Sequence, residues 1–237
     1  MNKLRHYFDI VVYLVHRTYW NLCARFGRVH GLVLMYHHIT DEHVDIMESC
    51  QHTPAVFEKT LKRLQTEGYA FVTIEEMLTI IKKKESKRFV VITFDDIRDD
   101  VFTNAFPTLK RMNLPFTLFV APGLLDTELF VTTEHLKTMA NDSLCTIGAH
   151  SLTHCSLRNV KHSKEEMVES KRQLELLLGK KVKYMAYPYG WHCDVSKKNM
   201  KEAEDAGYEC AFGTIQSPVS EVSAKSRYYL PRVVLKG

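Results

Sequence analysis

Phe89-Val-Val-Ile-Thr-Phe-Asp-Asp96 is the stretch on which the reading of the fold turns. Apolar and β-branched residues run unbroken from Phe89 to Phe94, the pattern of a strand covered on both faces. The run stops at two adjacent carboxylates, Asp95 and Asp96. Both cannot face a core, because an unpaired buried charge is costly. One can ligate a metal while the other contacts an attacking water; in a plainer account Asp96 caps a following helix.

Outward from this strand, strand-like and helix-like stretches alternate. Leu32 to Tyr36 has β character. Thr53 before Pro54 predicts a helix from about 54 to 67, with Phe57, Leu61 and Leu64 on its apolar face. A capping box at Thr73–Glu76 opens a helix to about Lys84. A helix near 102–112, a strand at 116–121, a short helix near 132–140 and a strand at 145–149 follow. A second capping box, Ser163–Glu166, opens a helix ending near Gly179. The strand 182–187, a helix from Asp194 to Ala206, and strands near 209–213 and 228–235 complete the chain. Repeated strand–helix units imply an α/β fold with a parallel sheet, open or closed into a barrel, whose reacting groups gather at the carboxyl ends of the strands. No repeat or linker divides it, so the expected organisation is an N-terminal amphipathic segment, residues 1–30, and one domain over 31–237.

With 45% hydrophobic and 25% charged residues the composition is that of an ordinary globular protein, which argues against disorder. The net charge of +4 is spread along the chain, and Lys82-Lys83-Lys84 reads as a solvated helix end, so no nucleic-acid partner is expected. Cys23, Cys50, Cys145, Cys155, Cys193 and Cys210 form no C-x-x-C pair, which excludes a zinc finger and fits free thiols in a reducing compartment.

The uninterrupted apolar run near the N-terminus, Ile10 to Val15, is too short for a secretory core or a membrane span. The expectation is a cytoplasmic chain with no signal peptide or transmembrane helix. Within residues 1–28, however, Leu4, Phe8, Val11, Val12, Val15, Tyr19, Leu22 and Phe26 recur at roughly helical spacing among Lys3, Arg5, Arg17, Arg25 and Arg28. Such a helix can pack on its own domain or lie on an anionic membrane surface as a peripheral anchor.

Chemistry-bearing residues sit at four predicted strand ends: His37-His38, Asp95-Asp96, His150, and Pro188-Tyr189-Gly190. His150-Ser-Leu-Thr-His154 places two imidazoles four residues apart, able to share one ion; alone it is a weak signal. With a carboxylate from another strand end, two histidines complete a common three-ligand catalytic zinc set with one position left for water.

Thr93-Phe-Asp-Asp96, His150-Ser-Leu-Thr-His154 and Tyr187-Pro-Tyr-Gly190 resemble, in order, the first three motifs of the polysaccharide deacetylase family, also called the NodB-homology domain or carbohydrate esterase family 4. The resemblance covers roughly residues 32 to 235. Met35-Tyr-His-His-Ile39 and Leu230-Pro-Arg232 further resemble a branch acting on surface polysaccharides of N-acetylglucosamine. Membership implies a distorted (β/α) barrel with fewer than eight repeats. It also implies a metal-dependent hydrolase that removes N-acetyl groups from a sugar of a polysaccharide, oligosaccharide or glycolipid precursor. By position, Asp95 is then the general base and Asp96, His150 and His154 hold Zn2+, or Co2+ or Ni2+, which such a donor set also accepts. The Tyr189 N–H would meet the oxyanion, with Pro188 and Gly190 shaping its loop.

Three positions depart from the family pattern. Ile97 replaces a usual glycine, Ala186 replaces an arginine that braces the base in many members, and no late Leu-x-His motif supplies a general acid. Arg232, in the closing motif, cannot donate a proton. His37 and His38 are the substitute acids, or else structural; His192 is a weaker candidate, and His6, His16, His30, His43, His52, His135 and His162 read as surface or structural. Trp191 and Tyr189 can stack on a sugar ring or close the core. Two competing functions keep the fold: deformylation of a lipid-linked amino sugar, and glycan binding without turnover. Oligomeric state is not legible.

Overall fold

The computed structural model describes residues 3–26, 29–42 and 51–235. The stretch around His43 and Cys50, and the side chains of His6, His16 and Cys23, fall outside that description.

Among the described residues seven parallel strands form the main sheet: β1 (His30–Tyr36), β4 (Ala70–Phe71), β5 (Arg88–Asp95), β6 (Phe116–Val120), β7 (Cys145–Ala149), β8 (Tyr184–Ala186) and β9 (Cys210–Phe212). The order is β1-β5-β6-β7-β8-β9, with β4 beside the first half of β5. A minor parallel pair, β2 (His38–Ile39) and β3 (Gln51–His52), was not legible in the sequence pattern. The sheet curls, and the C-terminal segment bridges its two edges: Leu230 pairs with Phe212 on β9, and Val233 pairs with Leu34 on β1. This is a distorted barrel with fewer than eight strand–helix units.

The central strand β5 shows why both faces are apolar. Val90, Ile92 and Phe94 join the core beneath α2 (Pro54–Thr66), with Phe57 and Leu61. Phe89 and Val91 join the second core, with Phe119, Phe212 and the buried side of α3 (Ile74–Lys83). Side chains alternate along a strand, so Thr93 and Asp95 share the side of Phe89 and Val91 inside the curl. Gly31 lies so close to Phe89 that an added Cβ would sit 2.0 Å from the ring, which fixes how tightly β1 and β5 pack.

Helices α2 and α3 start as expected: Thr53 accepts from the Val56 N–H, and Thr73 and Glu76 form a reciprocal box. Beyond β5, Val101–Ala105 is wound as a π-helix leading into α4 (Phe106–Met112); α5 is Thr133–Ala140. Several expectations need correction. The box at Ser163–Glu166 does not form on α6 (Ser163–Leu178), because Ser163 donates to Glu202 and Glu166 is drawn elsewhere. The next helix, α7, spans Lys197–Asp205 rather than starting at Asp194, since Ser196 and Asn199 make the capping box there. The stretch 228–235 is no continuous strand: Pro231 has no N–H to give a ladder, and the segment meets the sheet through isolated bridges. The strand expected over 182–187 is confined to Tyr184–Ala186. At the other end, α1 spans Lys3–Phe26.

Candidate metal centre and its surroundings

Parallel strands bring β1, β5, β7 and β8 to one mouth. Asp96 leaves β5 with φ +63°, Ser151 and His154 leave β7 with φ +57° and +58°, and Tyr189 leaves β8 with φ +61°. Each is a left-handed conformation that costs a residue with a side chain of order 1 kcal/mol or more. Ile97, where the family pattern has glycine, also has positive φ, +30°, and is buried; the apolar side chain is anchored in the core, which holds the turn glycine would otherwise make. Gly190, φ +62°, has no such option, since an added Cβ would lie 2.8 Å from the Thr214 methyl.

One ligand atom from each of Asp96, His150 and His154 lies within 4.8 Å of the others. Nε2 of His154 is 2.9 Å and Nε2 of His150 3.5 Å from Oδ1 of Asp96, a buried oxygen that receives no well-aligned hydrogen bond. Nδ1 of His150 lies 2.9 Å from the carbonyl of Ala186. A carbonyl only accepts, so Nδ1 carries the proton and Nε2 presents a lone pair toward the carboxylate. Two lone pairs facing each other in a buried site repel unless a cation lies between them. The donor set therefore fits a divalent ion, and the Ala186 carbonyl orients the imidazole as metal-ligating histidines require.

Burial by itself would raise the pKa of Asp96, but contact with His154 and the charges of His150 and His154 hold it well below the usual carboxylate range. Burial pushes His150 down. For His154 burial also acts downward, yet the Asp96 carboxylate outweighs it and the pKa rises.

Asp95 is buried beside this group, its two oxygens each 2.6 Å from a nitrogen of Arg232, itself fully buried. Burial works to raise its pKa, but the Arg232 guanidinium, followed by His150, keeps it below the ordinary value. Arg232 also donates to Thr93 Oγ1 and to the Gly213 carbonyl, and its guanidinium stands 5.6 Å from the Phe119 ring centroid. The brace missing at Ala186 is thus supplied by the closing segment, a role the sequence reading did not assign to Arg232.

His37 and His38 part company. His37 is buried and feels the charges of Asp95 and Asp96 directly, after the desolvation that lowers its pKa. His38 turns away, its Nδ1 3.0 Å from Asp100, whose other oxygen accepts from the Ile39 N–H. Tyr189 and Trp191 are exposed rather than core-closing. The Tyr189 ring is 5.0 Å from that of His154, and the turn is held by Thr214, which donates to the Tyr189 carbonyl, and by the Tyr229 hydroxyl on the Gly190 carbonyl. His192 adjoins Trp191, with ring centroids 6.5 Å apart. His135 binds Asp99 and stacks on Phe102, His30 and His162 are exposed, and His52 is buried against Tyr36.

Glu166 was also missed. Its carboxylate accepts from the N–H groups of Leu152 and Thr153 and from the Thr153 hydroxyl, gripping the loop between the two histidines. Removing it with Glu166→Ala is expected to weaken metal binding about tenfold and to cost about 1–2 kcal/mol of stability. Metal titration and thermal unfolding read the two effects separately.

The sequence model of a family described as polysaccharide deacetylase matches residues 82–211. Among curated proteins, YxkH of Bacillus subtilis is 28% identical over 205 residues, 85% of this chain and 70% of that protein. The poly-beta-1,6-N-acetyl-D-glucosamine N-deacetylase of Staphylococcus aureus is 29% identical over 195 residues, 76% of this chain and 66% of the enzyme. A crystal structure of a polysaccharide deacetylase from Bacillus cereus superposes with a TM-score of 0.76 at 27% identity, over 86% of this chain and 64% of that one. This chain therefore spans about two thirds of the length of these relatives.

Proposed function

The chain belongs to the polysaccharide deacetylase family, and from that premise we propose that it is a metal-dependent hydrolase removing N-acetyl groups from an N-acetylated glycan. The observation that carries this reading is the buried Asp96 oxygen that faces two imidazole nitrogens without a well-aligned hydrogen bond, with an ionised Asp95 alongside. Zinc is the expected ion, with cobalt or nickel as substitutes. A divalent ion held there supplies Lewis acidity, making water acidic near neutral pH and drawing charge from an amide carbonyl.

The protein's own groups account for the rest. Arg232 occupies one lone-pair direction on each Asp95 oxygen; a carboxylate has about four such sites, so Asp95 can still accept the proton of the attacking water. The new C–O bond pushes negative charge onto the carbonyl oxygen, where the Tyr189 N–H is the fixed donor; such a donor is worth roughly 3 kcal/mol. The C–N bond then breaks, a proton passes to nitrogen, and acetate and a free amine leave. His37 is the donor of that proton, because it is buried where the charges of Asp95 and Asp96 act on it; His38, tied to Asp100, fixes the loop. Trp191 and Tyr189 offer exposed faces on which a sugar ring can stack.

The relative acting on poly-β-1,6-N-acetylglucosamine supports a polymer of N-acetylglucosamine as the first substrate to try. Acetate release from N-acetylglucosamine oligomers is expected with added zinc and should vanish with a chelator; no release with any divalent ion tested would overturn the reading. His37→Ala should lower turnover about 100-fold, whereas His38→Ala should act mainly through loop order and cost less. A His37→Ala enzyme within threefold of wild type removes His37 from the role.

A further inference from the structure

We propose that α1 is a docking element for an anionic phospholipid bilayer, lying on the surface rather than crossing it. The helix has two unlike sides. Tyr13 stacks on Trp191, ring centroids 5.1 Å apart and 15° from parallel, and Asn21, exposed at the margin between the two sides, accepts from the Ser217 hydroxyl. With 3.6 residues per turn, Val11, Leu14, Val15, Thr18, Leu22 and Arg25 fall within an arc of about 100°, opposite Tyr13. All six are exposed, and the four large apolar ones are 49–61% accessible. A domain-packing amphipathic helix turns its apolar stripe inward; here an apolar stripe faces out.

Charge selects the occupant. The first 28 residues carry Lys3, Arg5, Arg17, Arg25 and Arg28 against the single acid Asp9. Apolar side chains flanked by cations are what a helix needs to settle at a negatively charged lipid interface. A second copy would bring the same cations together across the seam. Among the described residues no helix is long and apolar enough to cross a membrane, so the helix would rest at the interface.

The consequence for substrate rests on the hydrolase reading. Because the inner side of α1 leans on Trp191, a docked helix sets the bilayer about one helix diameter, roughly 10–12 Å, from the rim of the mouth. A glycan carried on a lipid in that bilayer is then the favoured substrate over a free oligomer.

The test is co-sedimentation of the full chain with vesicles of phosphatidylcholine alone or mixed with phosphatidylglycerol. Binding is expected to the mixed vesicles, at least about tenfold weaker to neutral ones and declining with salt. The double variant Val15→Glu/Leu22→Glu should lose binding, keep its hydrolysis of soluble oligomers, and slow on an N-acetylated glycolipid embedded in the mixed vesicles. No binding by the wild type, or equal binding by the variant, overturns the proposal. So does a wild-type dimer that the double variant converts to monomer, which would assign the stripe to a second copy. Sedimentation needs no turnover, so it remains decisive even if the protein hydrolyses nothing.

Discussion

Arg232→Met is expected to lower stability by about 3–5 kcal/mol, because removing one partner of a buried pair leaves the other charge uncompensated. For a chain of this size that is a drop of roughly 10 °C in Tm. Asp95 is buried, and against that desolvation its carboxyl is kept ionised chiefly by Arg232, with His150 and His37 adding to it. In the wild type the folded pKa lies below the unfolded value, so the pair stabilises the protein above about pH 4, and this is lost as pH falls through the folded pKa. Without Arg232 desolvation dominates and the pKa rises. The acid limb of the pH–rate profile should therefore move to higher pH, in addition to the overall loss of turnover. A structural role alone predicts lower Tm with an unmoved limb, and that result would remove Arg232 from the catalytic argument. Arg232→Lys keeps the charge but not the two-pronged geometry, so it should recover part of the stability and little of the alignment.

This arginine also marks where sequence reading stops. The Asp pair and the two histidines were legible because each motif is local: a run of apolar residues ending in carboxylates, or two imidazoles four positions apart. The direction of the strands followed from the alternation of strand and helix, and that placed all four ends at one mouth. The partner of Asp95 lies 137 residues away along the chain. No local pattern announces it, and only closure of the sheet by the C-terminal segment brings it inside. Glu166 failed differently. Ser163–Glu166 has the spacing of a capping box, but the open N–H groups of Leu152 and Thr153 are the acceptor's better partners once β7 and α6 are packed. Local grammar was overruled by a tertiary contact; at 228–235, where a strand was expected, Pro231 denied it a ladder. Of the two adjacent histidines, spacing cannot say which faces the site; the Asp100 contact of His38 is what leaves His37 as the proposed one.

The two aspartates, adjacent in sequence, should separate cleanly when altered. Asp95→Asn is expected to lower kcat by about 10²–10⁴, the range for loss of a general base, while the metal content of the purified protein stays near that of wild type. Asp96→Asn should instead lose the ion, because Oδ1 of Asp96 is the atom both imidazoles face. Its activity should return in part when excess zinc is supplied, whereas that of Asp95→Asn should not. Both substitutions keep side-chain shape. Asparagine at 95 still accepts one hydrogen bond from Arg232 but leaves a buried cation unneutralised, so the assay belongs well below the variant's Tm. The two costs can be told apart with Asp95→Asn/Arg232→Met. If the pair acts as a unit, the double variant should be little slower than Asp95→Asn alone, because the brace has no function without the base it braces. Multiplicative losses would mean that Arg232 contributes on its own account. An Asp95→Asn enzyme that turns over within threefold of wild type would mean that proton abstraction lies with another group, and the buried Asp95–Arg232 pair would then be a strut closing the barrel.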